Sequence, residues 1–173
     1  MMHILRNTII SIFILSIVSI ADAANITVAP SSGNYKIGSV ISVNVFISNN
    51  QEPVNAVSAS LAFTSNTLSL TSISKSGSII DLWAEEPTYS NNSGTVSFEG
   101  GMYNPGFSGL QGKVLTINFK VISAGLANVR LVDGSVLSND GNATNVLGTL
   151  GSATYNITEE VVEPTPTPNT EPV

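Results

Sequence analysis

Apolar and polar residues alternate along most of the chain between residues 24 and 158. In SVISVNVFIS, Ile41, Val43, Val45 and Ile47 fall on one side, while Val40, Ser42, Asn44 and Phe46 fall on the other. Successive side chains of a strand point to opposite faces, so the first set is predicted to be buried. VSASLAFT sets Val57, Ala59, Leu61 and Phe63 against Ser58, Ser60 and Ala62. LSLTSIS turns Leu68 and Leu70 inward, with Ile73 beyond a kink. TVSFEG buries Val96 and Phe98, and VLTINFKVIS buries Leu115, Ile117, Phe119 and Val121. NVRLVD and ATYNIT repeat the alternation. Gly, Asn, Ser and Pro separate these runs. The spacing predicts an all-β fold of about nine strands, a β-sandwich. No segment carries a stripe of helical period, and no internal repeat is visible.

The pattern breaks down at both ends. MMHILRNTIISIFILSIVSIADA has a positive start at Arg6 and an apolar run, Ile9 to Ile20. It closes on ADA, which places small residues where a signal peptidase reads. The run is shorter than the ~20 residues of a membrane-spanning helix. Residues 1–23 are therefore read as a signal peptide. At the other end, TEEVVEPTPTPNTEPV is rich in Pro, Thr and Glu. This composition favours an extended, solvated chain. The expected organisation is a leader at 1–23, one domain at 24–158 and a tail or linker at 159–173. Secretion is expected, with attachment at a cell surface as a variant. No membrane span is expected once the leader is gone.

Composition narrows the function. Charged residues make up 10% of the chain, aromatics 6%, and the formal net charge is −6. Scattered lysines and arginines in an acidic chain give no electrostatic footprint for nucleic acid. The chain has no cysteine, which excludes disulfides, thiolate chemistry and Cys-ligated zinc. Its single histidine, His3, lies in the leader. A Ser-His-Asp triad and a Cys-His pair are therefore excluded from the mature chain.

The richest stretch chemically is SIIDLWAEEPTYSNNSGTVSFEGGMYNPGF, which holds the only tryptophan, Trp83, with Asp81, Glu85, Glu86 and Glu99. Glycoside hydrolysis needs two carboxyl groups facing each other across a sugar, roughly 5–10 Å apart. Glu85 and Glu86 are adjacent and in an extended chain point to opposite sides, so they read as a solvated loop before Pro87. Trp83, Tyr89 and Tyr103 could stack on sugar rings, which makes a carbohydrate-binding surface the alternative. The simpler reading is that Trp83 caps the core. SNDGNATN places Asp140, Asn142 and Thr144 at alternate positions, like the start of a calcium loop. Position 151, where a closing Glu would stand, is Gly. The segment is read as an Asp-Gly turn. Asn25, Asn91, Asn142 and Asn156 sit in N-x-Ser/Thr sequons, which matter only in a glycosylating host. No catalytic residue, metal site or cofactor is expected.

Several runs in order resemble one family. They are VAPSSGNYKIGSVISVNVFIS, NAVSASLAFTSNTLSLTSISKSGSII, LWAEEPTY, GTVSFEGGMYNPGFSG, GKVLTINFKVISAG and SVLSNDGNATNVLG. Together they look like a cohesin domain over nearly all of residues 25–158. The resemblance implies a nine-stranded jelly-roll sandwich, related in fold to cellulose-binding modules. It also implies a non-catalytic receptor for a dockerin, a small calcium-loaded helical module, in assemblies that degrade polysaccharides. A polysaccharide ligand and a purely structural cell-surface role are the alternatives. The implied docking face is formed by strands 56–63, 79–83, 95–101 and 129–137. On strict alternation its outward residues are expected to be Ala56, Ser58, Ser60, Thr95, Ser97, Glu99 and Asp133. In cellulosomal cohesins the strand matching NAVSASLAF carries polar or acidic side chains toward the partner. Here those positions are the small, uncharged Ala56, Ser58 and Ser60.

The leader is expected to be removed after Ala23. Intact-mass measurement of the secreted protein checks this, and a mature chain that keeps Met1 contradicts it.

Overall fold

A computed structural model describes residues 23–159. The expected leader up to residue 22 and the expected tail from residue 160 lie outside these residues. Ten strand segments follow one another: β1 (Ala24–Ala29), β2 (Ser32–Lys36), β3 (Val40–Phe63), β4 (Leu68–Ser74), β5 (Leu82–Ser90), β6 (Thr95–Gly101), β7 (Phe107–Val121), β8 (Gly125–Ser138), β9 (Leu147–Leu150) and β10 (Ser152–Thr158). They form one hydrogen-bonded sheet that curls over on itself into a sandwich. Among the described residues, no helix is long and apolar enough to cross a membrane.

The curl is organised by β3, 24 residues long. Its first half pairs with β1 on one side and β7 on the other, from Val40↔Lys120 to Val45↔Leu115 before the register shifts. Its second half pairs with β6, from Ala56↔Gly101 to Ala62↔Thr95, and with β8. The strand changes layers between these halves. Asn49 is buried there, and its amide donates to the Glu52 carbonyl at 2.6 Å. Pro53 follows, and it brings no N–H to satisfy. One layer is therefore β5–β6–β3–β8, and the other is β4–β7–β3–β1–β9. β10 and β2 extend the first layer beyond the start of β8, with β2 parallel to β10.

Between the layers lies a single apolar core. The inward sets predicted from alternation are buried: Ile41, Val43, Val45 and Ile47; Val57, Ala59, Leu61 and Phe63; Leu115, Ile117, Phe119 and Val121. Phe63 and Phe119 meet across it, their ring centroids 5.0 Å apart. Burying a side chain of this size is worth about 2–3 kcal/mol. The kink expected in LSLTSIS is a register shift between Leu70 and Ser72 that sets Thr71 aside.

The structure corrects three expectations. Among the described residues there are ten strand segments rather than nine, because β2 and β9 carry little apolar alternation. The two runs read as separate strands at 39–48 and 57–64 are one continuous β3. The strand expected at 79–83, with a loop before Pro87, is instead β5 at Leu82–Ser90, and Glu85 and Glu86 lie within it. Two register shifts against β6, around Ala84 and around Glu86–Pro87, break its alternation. Pro87 is tolerated because β5 is an edge strand, where a missing N–H leaves no ladder bond unmade.

The edges of the two layers, β4 and β5, meet along an open seam that side chains tie shut. The Asn91 carboxamide accepts the Leu70 N–H at 2.7 Å and donates to the Leu70 carbonyl at 3.0 Å. The Lys75 ammonium bonds both oxygens of Glu86, the nearer at 2.6 Å.

Tyr155 is the largest fully buried side chain. Its hydroxyl donates to the Pro30 carbonyl at 2.7 Å, and its ring meets Tyr35 edge-on. Burial, with a smaller contribution from Tyr35, pushes its pKa up to about 12. The folded state thus holds this proton more tightly than an unfolded chain, whose tyrosines titrate near about 10. The stabilisation is complete below pH ~10 and is lost as pH rises through about 12. Urea denaturation between pH 8 and 11.5 should show the wild type losing stability faster than Tyr155→Phe. Parallel curves would contradict the assignment.

Candidate functional site

The outer surface of the β5–β6–β3–β8 layer is built by register. Each step of two residues along β3 places one outward residue from each strand side by side. Ser90, Thr95, Ala62 and Arg130 share the first row. Thr88, Ser97, Ser60 and Asp133 share the second, and Glu85, Glu99, Ser58 and Ser135 the third. Leu82, Gly101, Ala56 and Leu137 complete the fourth. All seven residues expected on the docking face lie on this surface, in neighbouring positions. The hydroxyls bond one another: Ser58 to Ser135 at 2.9 Å, and Thr88 to Ser97 at 3.0 Å. Ser97 also reaches the Glu85 carboxylate at 3.5 Å.

Alternation missed the contributions of β5 and most of those of β8. Glu85, Thr88 and Ser90 were hidden because two bulges and a proline disguise β5 as a loop. Ser135 and Leu137 were hidden by a bulge in β8, whereas Arg130 lies ahead of it and is outward by simple alternation. The register shifts between Ser60↔Asp133 and Leu61↔Leu131, so Val132 is the extra residue. A bulge re-aims the side chains that follow it, and here it brings Asp133 and Ser135 outward. Asp133 is outward as expected but not by strict alternation, which counted from the inward Leu131 would turn it to the core; its place rests on the bulge. At Gly134 a Cβ would lie 2.8 Å from the Ser58 carbonyl, so glycine lets β8 approach β3 closely.

The three aromatics of the sugar-binding alternative do not form a row. Trp83 is half-buried, packed edge-on against Phe98 with ring centroids 6.2 Å apart. Gly100 opposite it leaves room for Ile80, whose Cγ2 would clash with a Cβ there, and the Lys75 ammonium stands 5.5 Å from the Trp83 ring centroid. Tyr89 is exposed near the far end of β5, and Tyr103 is exposed in the segment after β6. The Tyr103 N–H donates to the Asp81 carboxylate at 2.7 Å.

The carboxylates differ in their surroundings. Glu86 is occupied by Lys75 on the seam, while Glu85 stands directly opposite Glu99 on the outer face. Asp140 accepts the Thr144 hydroxyl and, at 2.8 Å, the Asn142 N–H. The Thr144 hydroxyl above all, then the Asn142 N–H, holds its pKa below the usual carboxylate value. SNDGNATN is thus a turn whose acid is satisfied within the turn. Among the described residues, no group of three or more acids or histidines is placed to hold a metal ion.

A family model described as the cohesin domain matches residues 24–157. No curated protein matches the chain. Solved structures with the same fold include the seventh ScaB type I cohesin from Pseudobacteroides cellulosolvens. It has 16% identity and a TM-score of 0.65, covering 84% of this chain and 98% of that one. A non-cellulosomal cohesin from the archaeon Archaeoglobus fulgidus has 19% identity and a TM-score of 0.63, covering 79% and 92%. The Coh-OlpC–Doc435 complex from Clostridium thermocellum, a type I cohesin–dockerin complex, matches at 12% identity and a TM-score of 0.63, covering 80% and 97%. At these identities the likeness establishes the jelly-roll sandwich fold.

The contrast between Trp83 and Tyr103 is measurable. Trp83→Ala removes packing against Phe98 and should cost about 1–3 kcal/mol in chemical denaturation, below the range for a fully buried Trp. Tyr103→Ala should stay within about 0.5 kcal/mol. Equal losses would mean that Tyr103 is packed as well.

Proposed function

The chain belongs to the cohesin domain family, and on that footing we propose that it is an exported, non-catalytic receptor module. Its partner is a dockerin-type protein, docked outside the cell in an assembly that degrades polysaccharide. The module occupies residues 24–158, between a cleaved leader at 1–23 and a tail at 159–173 that serves as a linker. Docking uses the β5–β6–β3–β8 face through Ala56, Ser58, Ser60, Thr95, Ser97, Glu99 and Asp133.

The observation that carries this reading is the face itself: four strands wide, open, and surfaced mainly by short side chains. A small-ligand site is concave and encloses most of its ligand, whereas a protein interface needs ~800 Å² per partner of open, complementary surface. The mature chain has no His and no Cys, and its facing carboxylates, Glu85 and Glu99, stand exposed on an open sheet rather than in a cleft. Calcium belongs to the partner. A dockerin is the partner in the Clostridium thermocellum complex, and the same class is proposed here. The carbohydrate-binding alternative through Trp83, Tyr89 and Tyr103 is weaker, because the indole packs against Phe98 rather than standing free.

The test is a binding assay against the dockerin modules of the same genome, run beside insoluble cellulose, chitin and xylan. A dockerin should bind. Chelating calcium should abolish binding by unfolding the dockerin, while the circular dichroism of this chain stays unchanged. Ser58→Arg, which puts a long cation at the centre of the face, should weaken binding at least about tenfold. Retention on a polysaccharide, lost in Tyr89→Ala or Tyr103→Ala and with no dockerin bound, would overturn the receptor reading.

A further inference from the structure

The sandwich has a second outer surface, on the β4–β7–β3–β1–β9 layer, built by the same two-residue register. Lys120 and Val40 lie side by side at one end of it. Lys113, Phe46 and Thr27 share a row near the other end, and Ser48, Asn25 and Thr149 form the last row. Between the ends, hydroxyls and carboxamides are joined across the strands, Ser42 to Asn118 at 2.7 Å and Thr116 to Asn44 at 2.6 Å.

Charge is segregated between the two surfaces. The β5–β6–β3–β8 side carries Glu85, Glu99 and Asp133, whereas no row of this side holds an acid. Glu52, the next acid along β3, lies in the bend beyond the last row. Among the described residues the only ion pair is Lys75–Glu86, so Lys113 and Lys120 are unpaired. Their partners on β3, Phe46 and Val40, are six residues apart, which separates the two lysines by about 20 Å along the strand.

This surface ends in a depression of about 200 Å³, lined by Asn25, Ser48, Asn49, Asn50 and the exposed Leu110. The Asn25 carboxamide is held in place by Thr149, whose N–H and hydroxyl both donate to its oxygen, at 3.1 and 2.5 Å. Its nitrogen makes one long bond, 3.4 Å, to the Ala23 carbonyl. Ala23 is a further wall of the depression and the last residue of the expected leader, so its removal opens the depression and frees that donor. Two residues back along β3, Phe46 stands half-buried on the outer side, away from the core.

Carboxamides offer donors and an acceptor side by side, as the neighbouring hydroxyls of a sugar require. An aromatic ring suits the apolar side of a sugar ring. Two lysines so far apart do not match the dense charge of a nucleic-acid backbone, nor are they the basic cluster that holds anionic lipid. They match a polymer whose charges are spaced by whole sugar rings. We propose that this surface binds an acidic polysaccharide, a chain that carries uronic acid residues. One sugar seats in the depression against Asn25, Ser48 and Asn50. The chain runs over Phe46 along β3 and β7, and its carboxylates meet Lys113 and Lys120. Lying on the opposite side of the sandwich, the site does not depend on the receptor reading and leaves the docking face free, so a docked partner is held beside the glycan.

Isothermal titration calorimetry of the secreted chain with soluble polygalacturonate, a neutral β-glucan and polyphosphate, at about 50 and about 500 mM salt, tests this. Wild type is compared with Lys113→Gln/Lys120→Gln, Phe46→Ala and the opposite-face control Ser58→Arg, each with an unchanged circular dichroism spectrum. Polygalacturonate should bind wild type and Ser58→Arg alike, and more tightly than either other polymer. The double lysine variant should bind it about tenfold more weakly at low salt and lose most of the salt dependence. Phe46→Ala should bind it severalfold more weakly at both salt concentrations, because the lost contact is uncharged. The inference falls if polygalacturonate does not bind wild type, or if the double variant or Phe46→Ala binds it like wild type. It falls equally if the β-glucan or polyphosphate binds as tightly, since the surface then does not read a uronic acid chain. Loss of polygalacturonate in Ser58→Arg would place the site on the other face and overturn it too. Dockerin binding, measured on the same proteins, decides the receptor reading separately.

Discussion

Strand β3 is the constraint on which the rest of the molecule depends. It is hydrogen-bonded in both layers, to β1 and β7 in one half and to β6 and β8 in the other. Because the chain crosses between layers without leaving the strand, the two sheets cannot slide or separate without breaking it. The buried Asn49–Glu52 contact at the crossing supplies a partner for a carbonyl that the bend takes away from the ladder. Buried polar groups without partners are costly, and among the described residues no buried side-chain nitrogen or oxygen lacks a hydrogen bond. The central position of Ser58 and Ser60 on the outer face follows from the same fact. They lie on the second half of β3, with β6 on one side and β8 on the other.

Much of this architecture was legible in the sequence, because burial on one face of a strand leaves a period of two. Ile41 to Ile47 and Leu115 to Val121 announce their inward sides outright, and those sides are buried. What alternation could not reveal lies at irregularities. In β5 the shifts around Ala84 and Glu86–Pro87 break the period, so a strand resembles a loop. In β7, Val114 and Leu115 are both buried because the register shifts between Val45 and Phe46. A bulge is a relation between two strands, and a single strand's sequence does not contain it. The continuity of β3 was obscured for a related reason. Residues 49–53 carry turn-forming composition, yet they bend the strand rather than end it.

The seam between β4 and β5 shows how the sandwich manages its exposed edges. An edge strand presents unpaired N–H and C=O groups that invite further pairing. The Asn91 carboxamide occupies both backbone groups of Leu70, in the manner of a missing neighbouring strand. The β5 edge is blunted by Pro87 and by two bulges. Asn91 lies in a sequon, but its amide nitrogen is committed to the Leu70 carbonyl in the folded chain.

Most side chains on the outer face of the β5–β6–β3–β8 layer are short, and several are already joined to one another, Ser58 to Ser135 and Thr88 to Ser97. Covering Ala and Ser freezes far less rotamer freedom than covering Lys, Gln or Met. Thermodynamically the surface behaves as a stencil cut in advance: little disorder is surrendered on contact, and little adjustment is available to accommodate a poor match. Such a surface discriminates by shape, rejecting a misfit that a carpet of long, flexible side chains would absorb.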